Sequence, residues 1–238
     1  MSGHSKWNNI KRRKEATDGA KAKIFTKIGR EMSVAVKEGG PDPSANFKLA
    51  AVIAKAKANN VPNDNIERII KKASGEDGGN SFEVIVYEGY GPGGVAVIIE
   101  TLTDNKNRTA ADVRHALDKN GGNLGAQGCV GFLFQQKGVL VIDGEVDFDT
   151  LMEDSIEAGA EDIEDTDGYI IVYTAPSDFD GVLKVLSTKY KFAQAEVAML
   201  PTTKTALSDE EHIKKMERLQ DMLDDNDDVQ NYWTNLDE

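Results

Sequence analysis

Cysteine is almost absent from this sequence: Cys129 stands alone among 238 residues. An internal disulfide framework is therefore excluded, and the usage fits a reducing compartment. Histidine is scarce as well. His4, His115 and His212 lie far apart, with none of the spacings typical of metal ligands. No apolar run approaches the ~20 residues that a membrane helix needs. The opening goes directly into charged sequence instead of an apolar secretion segment. Motifs for common chemistries are missing too. Gly89–Gly94 lacks the Gly-Lys-Ser/Thr end of a phosphate loop and joins two strands, so it reads as a tight turn. The acidic stretch Asp162–Asp167 lacks the twelve-position calcium pattern. Cys129 beside an apolar strand reads as a packed thiol. These absences predict a cytoplasmic protein without a membrane partner, metal, cofactor or catalytic residue, and not an enzyme.

What is present is a strong division of charge. The net formal charge is −13, yet residues 1–80 hold 16 Lys and Arg against 9 Asp and Glu, while residues 81–238 hold 12 against 32. Within the first thirty residues the count is 9 basic to 2 acidic. Such asymmetry points to a polyanion-binding module joined to acidic domains. The alternative is a solvated helical surface.

Hydrophobic periodicity divides the chain in the same place. Over 19–38, Ala20, Ile24, Ile28, Met32 and Ala35 recur at helical spacing, and Lys23, Lys27, Arg30 and Lys37 fall on a neighbouring face. A second helix is expected after Ser44 as N-cap, with Leu49, Val52, Ile53 and Ala56 inward. A third runs over 63–73 with Ile66, Ile69 and Ile70 inward and Arg68, Lys71 and Lys72 outward. Beyond the glycine-rich 74–80 the period becomes strand-like: strands over 82–87 and 95–103, a helix over 108–119 and a strand over 130–135. Residues 137–201 then read as βαββαβ, the ferredoxin-like order. Ser208 and Glu211 have capping-box spacing before a helix to about Asp225, and a last strand spans 229–234. The predicted organisation is a basic helical domain over 1–80, an α/β domain made of 81–136 plus 202–238, and an inserted α/β domain over 137–201.

The candidate binding residues sit at the front. Lys6, Lys11, Arg12, Lys14, Lys23, Lys27 and Arg30 would neutralise phosphates and release counterions. Trp7 would stack on an unpaired base, or alternatively pack in the helical core. His4, Asn8 and Asn9 add hydrogen-bond donors at the same end. A second cluster, Thr103–Thr109, lies at a strand-to-helix junction. Its helix start, with Asn107 and the Arg108 fork, favours an anion; the alternative is a capped helix with solvated polar residues.

These same blocks resemble the YebC/PmpR family: Gly3–Lys14, Gly39–Pro43, Val61–Gly75, Tyr87–Gly94, Thr103–Thr109 and the tail Val229-Gln-Asn-Tyr232, in order along essentially the whole chain. Mitochondrial members of that family include the translational activator of cytochrome oxidase subunit I. The resemblance implies an α+β protein with an N-terminal three-helix domain followed by two ferredoxin-like α/β domains, the third inserted in the second. It implies no cofactor. It also implies one of two roles: a translation factor that docks on ribosomal RNA and relieves stalling near the peptidyl-transferase centre, or a DNA-binding transcriptional regulator acting at promoters. A monomer suits the first. An enzyme acting on a small ligand is a remote third reading.

Overall fold

The structure is a computed structural model and describes residues 18–75, 81–166 and 169–237. The first elements are α1 (Asp18–Gly39), α2 (Phe47–Ala58), α3 (Asn63–Ser74), β1 (Glu83–Tyr90), β2 (Ala96–Thr103), α4 (Lys106–Lys119) and β3 (Asn123–Leu124). There follow β4 (Phe134–Ile142), α5 (Phe148–Ala158), β5 (Asp162–Thr166), β6 (Tyr169–Thr174), α6 (Phe179–Leu186) and β7 (Phe192–Pro201). The chain ends with β8 (Thr205–Ala206), α7 (Glu210–Asp225), β9 (Val229–Thr234) and β10 (Leu236–Asp237). They group into two compact units. One comprises Gly131–Ala206 and the chain end from Trp233; the other comprises the described residues up to Val130 together with Leu207–Tyr232.

The three front helices close on the stripe that periodicity predicts. Ile28, Met32, Ala35 and Val36 of α1 meet Leu49, Val52 and Ala56 of α2 and Ile66 and Ala73 of α3. Each fully buried large side chain here, such as Met32 or Leu49, stabilises the domain by about 1.5–3 kcal/mol. The α1–α2 turn is held by Asn46. Its Oδ1 accepts the Leu49 N–H at 3.0 Å, and its Nδ2 donates to the carbonyls of Ala35 and Gly40 at 2.7 and 2.8 Å. Asn46 is therefore the N-cap of α2. Ser44, expected in that role, instead binds Asp42 through both its N–H and its hydroxyl. The buried amide satisfies three groups at once, which a serine hydroxyl two residues earlier cannot reach.

In the same unit, β1 and β2 form an antiparallel hairpin in register from Glu83↔Thr103 to Tyr90↔Ala96. Gly93 and Gly94 turn the corner at φ of 69° and 80°, where glycine avoids the Cβ clash. The sheet order is β3-β1-β2-β9, and α4 packs against β1, β2 and β3 and also touches α7. Chain order here is ββαβ before the insertion and αβ after it.

The inserted unit has the predicted βαββαβ order and the sheet order β5-β6-β4-β7. Leu140, Ile142, Val172, Leu151, Phe179, Val182 and Leu186 form its core. β8 and β10 pair in parallel beside it, Thr205 opposite Leu236.

Three local expectations are corrected. The strand expected at 130–135 and the first strand of the 137–201 unit are one continuous strand, β4, paired along its length with β7 from Phe134↔Pro201 onwards. Gly138, within β4, is a point of close approach. A Cβ there would collide with Thr174 Oγ1 and lie 2.7 Å from Phe179 Cδ2. The outer strand of the first α/β sheet is β3, only two residues long. Asp209, not Ser208, caps α7, accepting the Glu211 N–H at 2.8 Å.

Candidate nucleic-acid interface

The basic face of α1 runs along the C-terminal end of α7. Lys23 pairs with Asp225, and Lys27 Nζ donates to the Asp224 carbonyl at 3.3 Å. Ammonium groups at a helix C-terminus meet its unsatisfied carbonyls and the negative end of its dipole, so both lysines are well placed electrostatically. One turn further along, Arg30 pairs with Asp228 and donates to the Leu102 carbonyl at 3.0 Å. Its guanidinium also lies 5.3 Å from the centroid of the Phe82 ring, a cation–π contact.

Asp228 is the centre of this arrangement. Its side chain is 4% exposed. Arg108 reaches it from α4 as a fork, Nε at 3.2 Å and Nη2 at 2.9 Å to Oδ2. Thr109 Oγ1 lies 2.7 Å from the same oxygen, and Thr103 Oγ1 lies 3.3 Å away. The backbone fixes the residue too: its carbonyl accepts the Leu102 N–H at 2.7 Å, and its own N–H donates to Asn226 Oδ1 at 2.8 Å. Burial on its own would raise the Asp228 pKa. The hydrogen bonds from Thr109, Arg30 and Arg108 outweigh burial and hold the carboxyl below the usual carboxylate range. Three sequence-distant segments are thus joined through one carboxylate.

The Thr103–Thr109 junction has its anion from within. Asn105 caps α4 by accepting the Arg108 N–H at 3.1 Å, and Arg108 also holds Asp104 at 2.8 Å. The charge that this helix start favours is supplied by Asp228. Asn107 is exposed on the first turn of α4 and does not join the cluster.

Further along α1 the surroundings of its basic residues differ, with Arg30 bordering both regions. A cavity of about 180 Å³ opens between α1, α3 and Phe82, lined by Thr26, Gly29, Arg30, Ser33 and Lys37 of α1 and Ile69, Lys72 and Ala73 of α3. No carboxylate is among those residues. Gly29 lets the helices close beside it, since a Cβ there would lie 3.3 Å from Ile69 Cδ1.

Two family models match this chain. "TACO1/YebC protein N-terminal domain" covers residues 5–76, and "TACO1/YebC second and third domain" covers residues 82–236. The chain belongs to the TACO1/YebC family. A relative from Ruminiclostridium cellulolyticum, named "Probable transcriptional regulatory protein", is 57% identical over 94% of this chain and 92% of its own length. One of the same name from Acetivibrio thermocellus is 56% identical over 99% of this chain and 98% of its own. A crystal structure of a conserved hypothetical protein from Aquifex aeolicus superimposes with a TM-score of 0.83 at 42% identity, covering 92% of this chain and 91% of that one. The boundary between the two family models falls in the glycine-rich segment where charge and periodicity change in the sequence.

Of the residues proposed from the sequence, His4, Lys6, Trp7, Asn8, Asn9, Lys11, Arg12 and Lys14 lie outside the described residues. Lys23, Lys27, Arg30 and Arg108 are brought together, but around Asp224, Asp225 and Asp228 of the same chain. Sequence reasoning passed over those three acids. The run Asp224-Asp225-Asn226-Asp227-Asp228 was their signal, an acidic cluster immediately before a strand. It also passed over Phe82 as anything but a strand residue.

Proposed function

We propose that this chain is a nucleic-acid-binding regulatory factor that acts on RNA, docking on ribosomal RNA as a translation factor that relieves stalling near the peptidyl-transferase centre. The observation that carries the reading is the charge division: a front of 16 Lys and Arg against 9 acids, on a chain whose remainder is strongly anionic. A polyanion is attracted to that front and repelled elsewhere, which orients binding. Lys6, Lys11, Arg12 and Lys14, with Trp7 and His4, are proposed as first contacts. The engagement of Lys23 and Arg30 with internal carboxylates favours RNA over duplex DNA. With one face of α1 taken up in this way, insertion of that helix into a major groove would first require those pairs to open. Unpaired strands and backbone phosphates make no such demand.

The second reading is transcriptional. It is favoured by the names of the relatives and would give α3, with Arg68 and Lys71 outward, the groove-facing role. Crosslinking in cells, followed by sequencing of the recovered nucleic acid, separates the two. Predominant recovery of ribosomal RNA is expected. Enrichment at discrete promoters that survives depletion of ribosomes would replace the first reading with the second.

On either reading the chain acts by binding and positioning, which lowers an entropic barrier without side-chain chemistry of its own. Burial, reinforced by the Glu88 charge, pushes the Cys129 thiol up, away from the thiolate form a nucleophile needs. Alanine at Cys129 or His115 is therefore expected to leave activity intact in protein that still folds. A hundredfold loss in either variant would reopen the enzymatic alternative.

A further inference from the structure

The cavity between α1, α3 and Phe82 combines features that belong together chemically. Its apolar lining includes Gly29, Ile69 and Ala73, with Ile69 close beside Gly29. One wall is an aromatic ring with a guanidinium over it, Phe82 and Arg30 at 5.3 Å. Lys37 and Lys72, both exposed, stand at its edge from two different helices. Ser33 directs its hydroxyl proton to the Gly29 carbonyl at 2.9 Å, which leaves its oxygen as an acceptor. Apolar space, an aromatic ring, an acceptor for a ring N–H and ammonium groups at the edge are the recognition set for a nucleotide with its base unpaired. Size agrees. Apolar cavities of roughly 150 Å³ accept one benzene-sized ring, so this cavity of about 180 Å³ takes one base and not a stacked pair.

From this geometry we infer that the α1–α3 cleft is a binding site for a single unpaired nucleotide of a nucleic-acid strand. The base enters against Phe82 and Ile69, and its flanking phosphates lie on Lys37 and Lys72. The inference rests on the nucleic-acid reading above and narrows it from a charged surface to one pocket with a preference for single strands. A duplex base pair cannot enter, because both its faces and its hydrogen-bonding edge are already occupied. Shape, not charge alone, then decides which stretch of a folded RNA is held.

The test uses the full chain and fluorescence anisotropy with a 5′-labelled, unstructured 12-nucleotide RNA, its abasic counterpart and a duplex of the same sequence. Phe82→Leu is expected to weaken binding of the intact single strand by roughly tenfold or more, as loss of one base–aromatic stack does, and to leave the abasic strand unaffected. Lys37→Gln with Lys72→Gln, both on exposed side chains, is expected to lower the log–log salt slope by roughly 1.4, since each single-strand phosphate contact contributes about 0.7. If the wild-type chain binds the single strand and every variant binds it equally well with an unchanged slope, the cleft is not the site, although nucleic-acid binding stands. If the wild-type chain binds none of the three at low salt, the wider reading falls and this inference with it. Wild-type preference for the duplex, unaffected by either variant, also overturns the pocket.

Discussion

Lys23 and Lys72 carry the same charge within one small helical domain, yet they stand in opposite electrostatic settings. Lys23, with Lys27 and Arg30, faces acids and carbonyls that arrive from the far end of the sequence. Lys72 borders a cleft whose lining holds no carboxylate. The difference teaches that net charge counted along a segment does not say which cations are offered to a partner. Local pairing decides that. A lysine at a helix C-terminus beside an aspartate serves the fold first, whereas one at the mouth of an apolar cleft is placed to meet an incoming phosphate.

The comparison breaks most readily at Asp228. Asp228→Asn removes the charge on which Arg30 and Arg108 converge, and is expected to destabilise the unit by about 2–3 kcal/mol, as loss of a buried charge-assisted network does. Urea denaturation followed by circular dichroism measures it; a loss under 0.5 kcal/mol would show that the network holds nothing together. The same pair of proteins gives the pH dependence. Because the folded-state pKa of Asp228 is depressed, its stabilisation is complete above the unfolded value near 3.9 and is lost as pH falls through the lower folded value. Wild-type and variant curves should lie apart at pH 7 and converge in strong acid. Curves that stay parallel down to pH 2 would exclude Asp228 as the group responsible.

Smaller effects sharpen the contrast between the two groups of lysines. Lys23→Gln with Lys27→Gln is expected to leave the salt slope of RNA binding unchanged, whereas the corresponding change at Lys37 and Lys72 reduces it. A slope lowered by roughly 1.4 in the Lys23/Lys27 variant would mean that α1 lets go of α7 to bind phosphate. Smallest of all is the stability cost of Lys23→Gln. The pair with Asp225 is largely exposed, so less than about 1 kcal/mol is expected, and the difference should vanish in 1 M salt.

The helical stripe of α1, the hairpin turn at Gly93 and Gly94 and the βαββαβ order of the insertion were legible because each is written in local periodicity or in a residue with one conformational use. The single strand β4 was read as two, although Gly138 within it serves close packing against Thr174 and Phe179. Sequence alone does not show that packing. β3 escaped because two residues carry no period. The candidate site was half legible. The cations were found, but their partners Asp225 and Asp228 lie 202 and 198 residues downstream of Lys23 and Arg30. No pattern within a window relates residues so far apart. The cleft escaped for a related reason, since it needs α1, α3 and Phe82 to meet.

That separation has a consequence for the birth of the protein. At about 5–20 residues per second, a ribosome that has made Arg30 needs roughly 10–40 s to reach Asp228. Throughout that interval Lys23 and Arg30 are without the carboxylates they meet in the finished fold, beside the polyanionic machine that is making the chain, whereas Lys48 and Lys55 already have Glu38 and Glu31 at hand. Only when the segment before β9 emerges do the arginines of α1 and α4 find their shared carboxylate. The order of synthesis therefore leaves Lys23 and Arg30 open to other anions until Asp225 and Asp228 have been made.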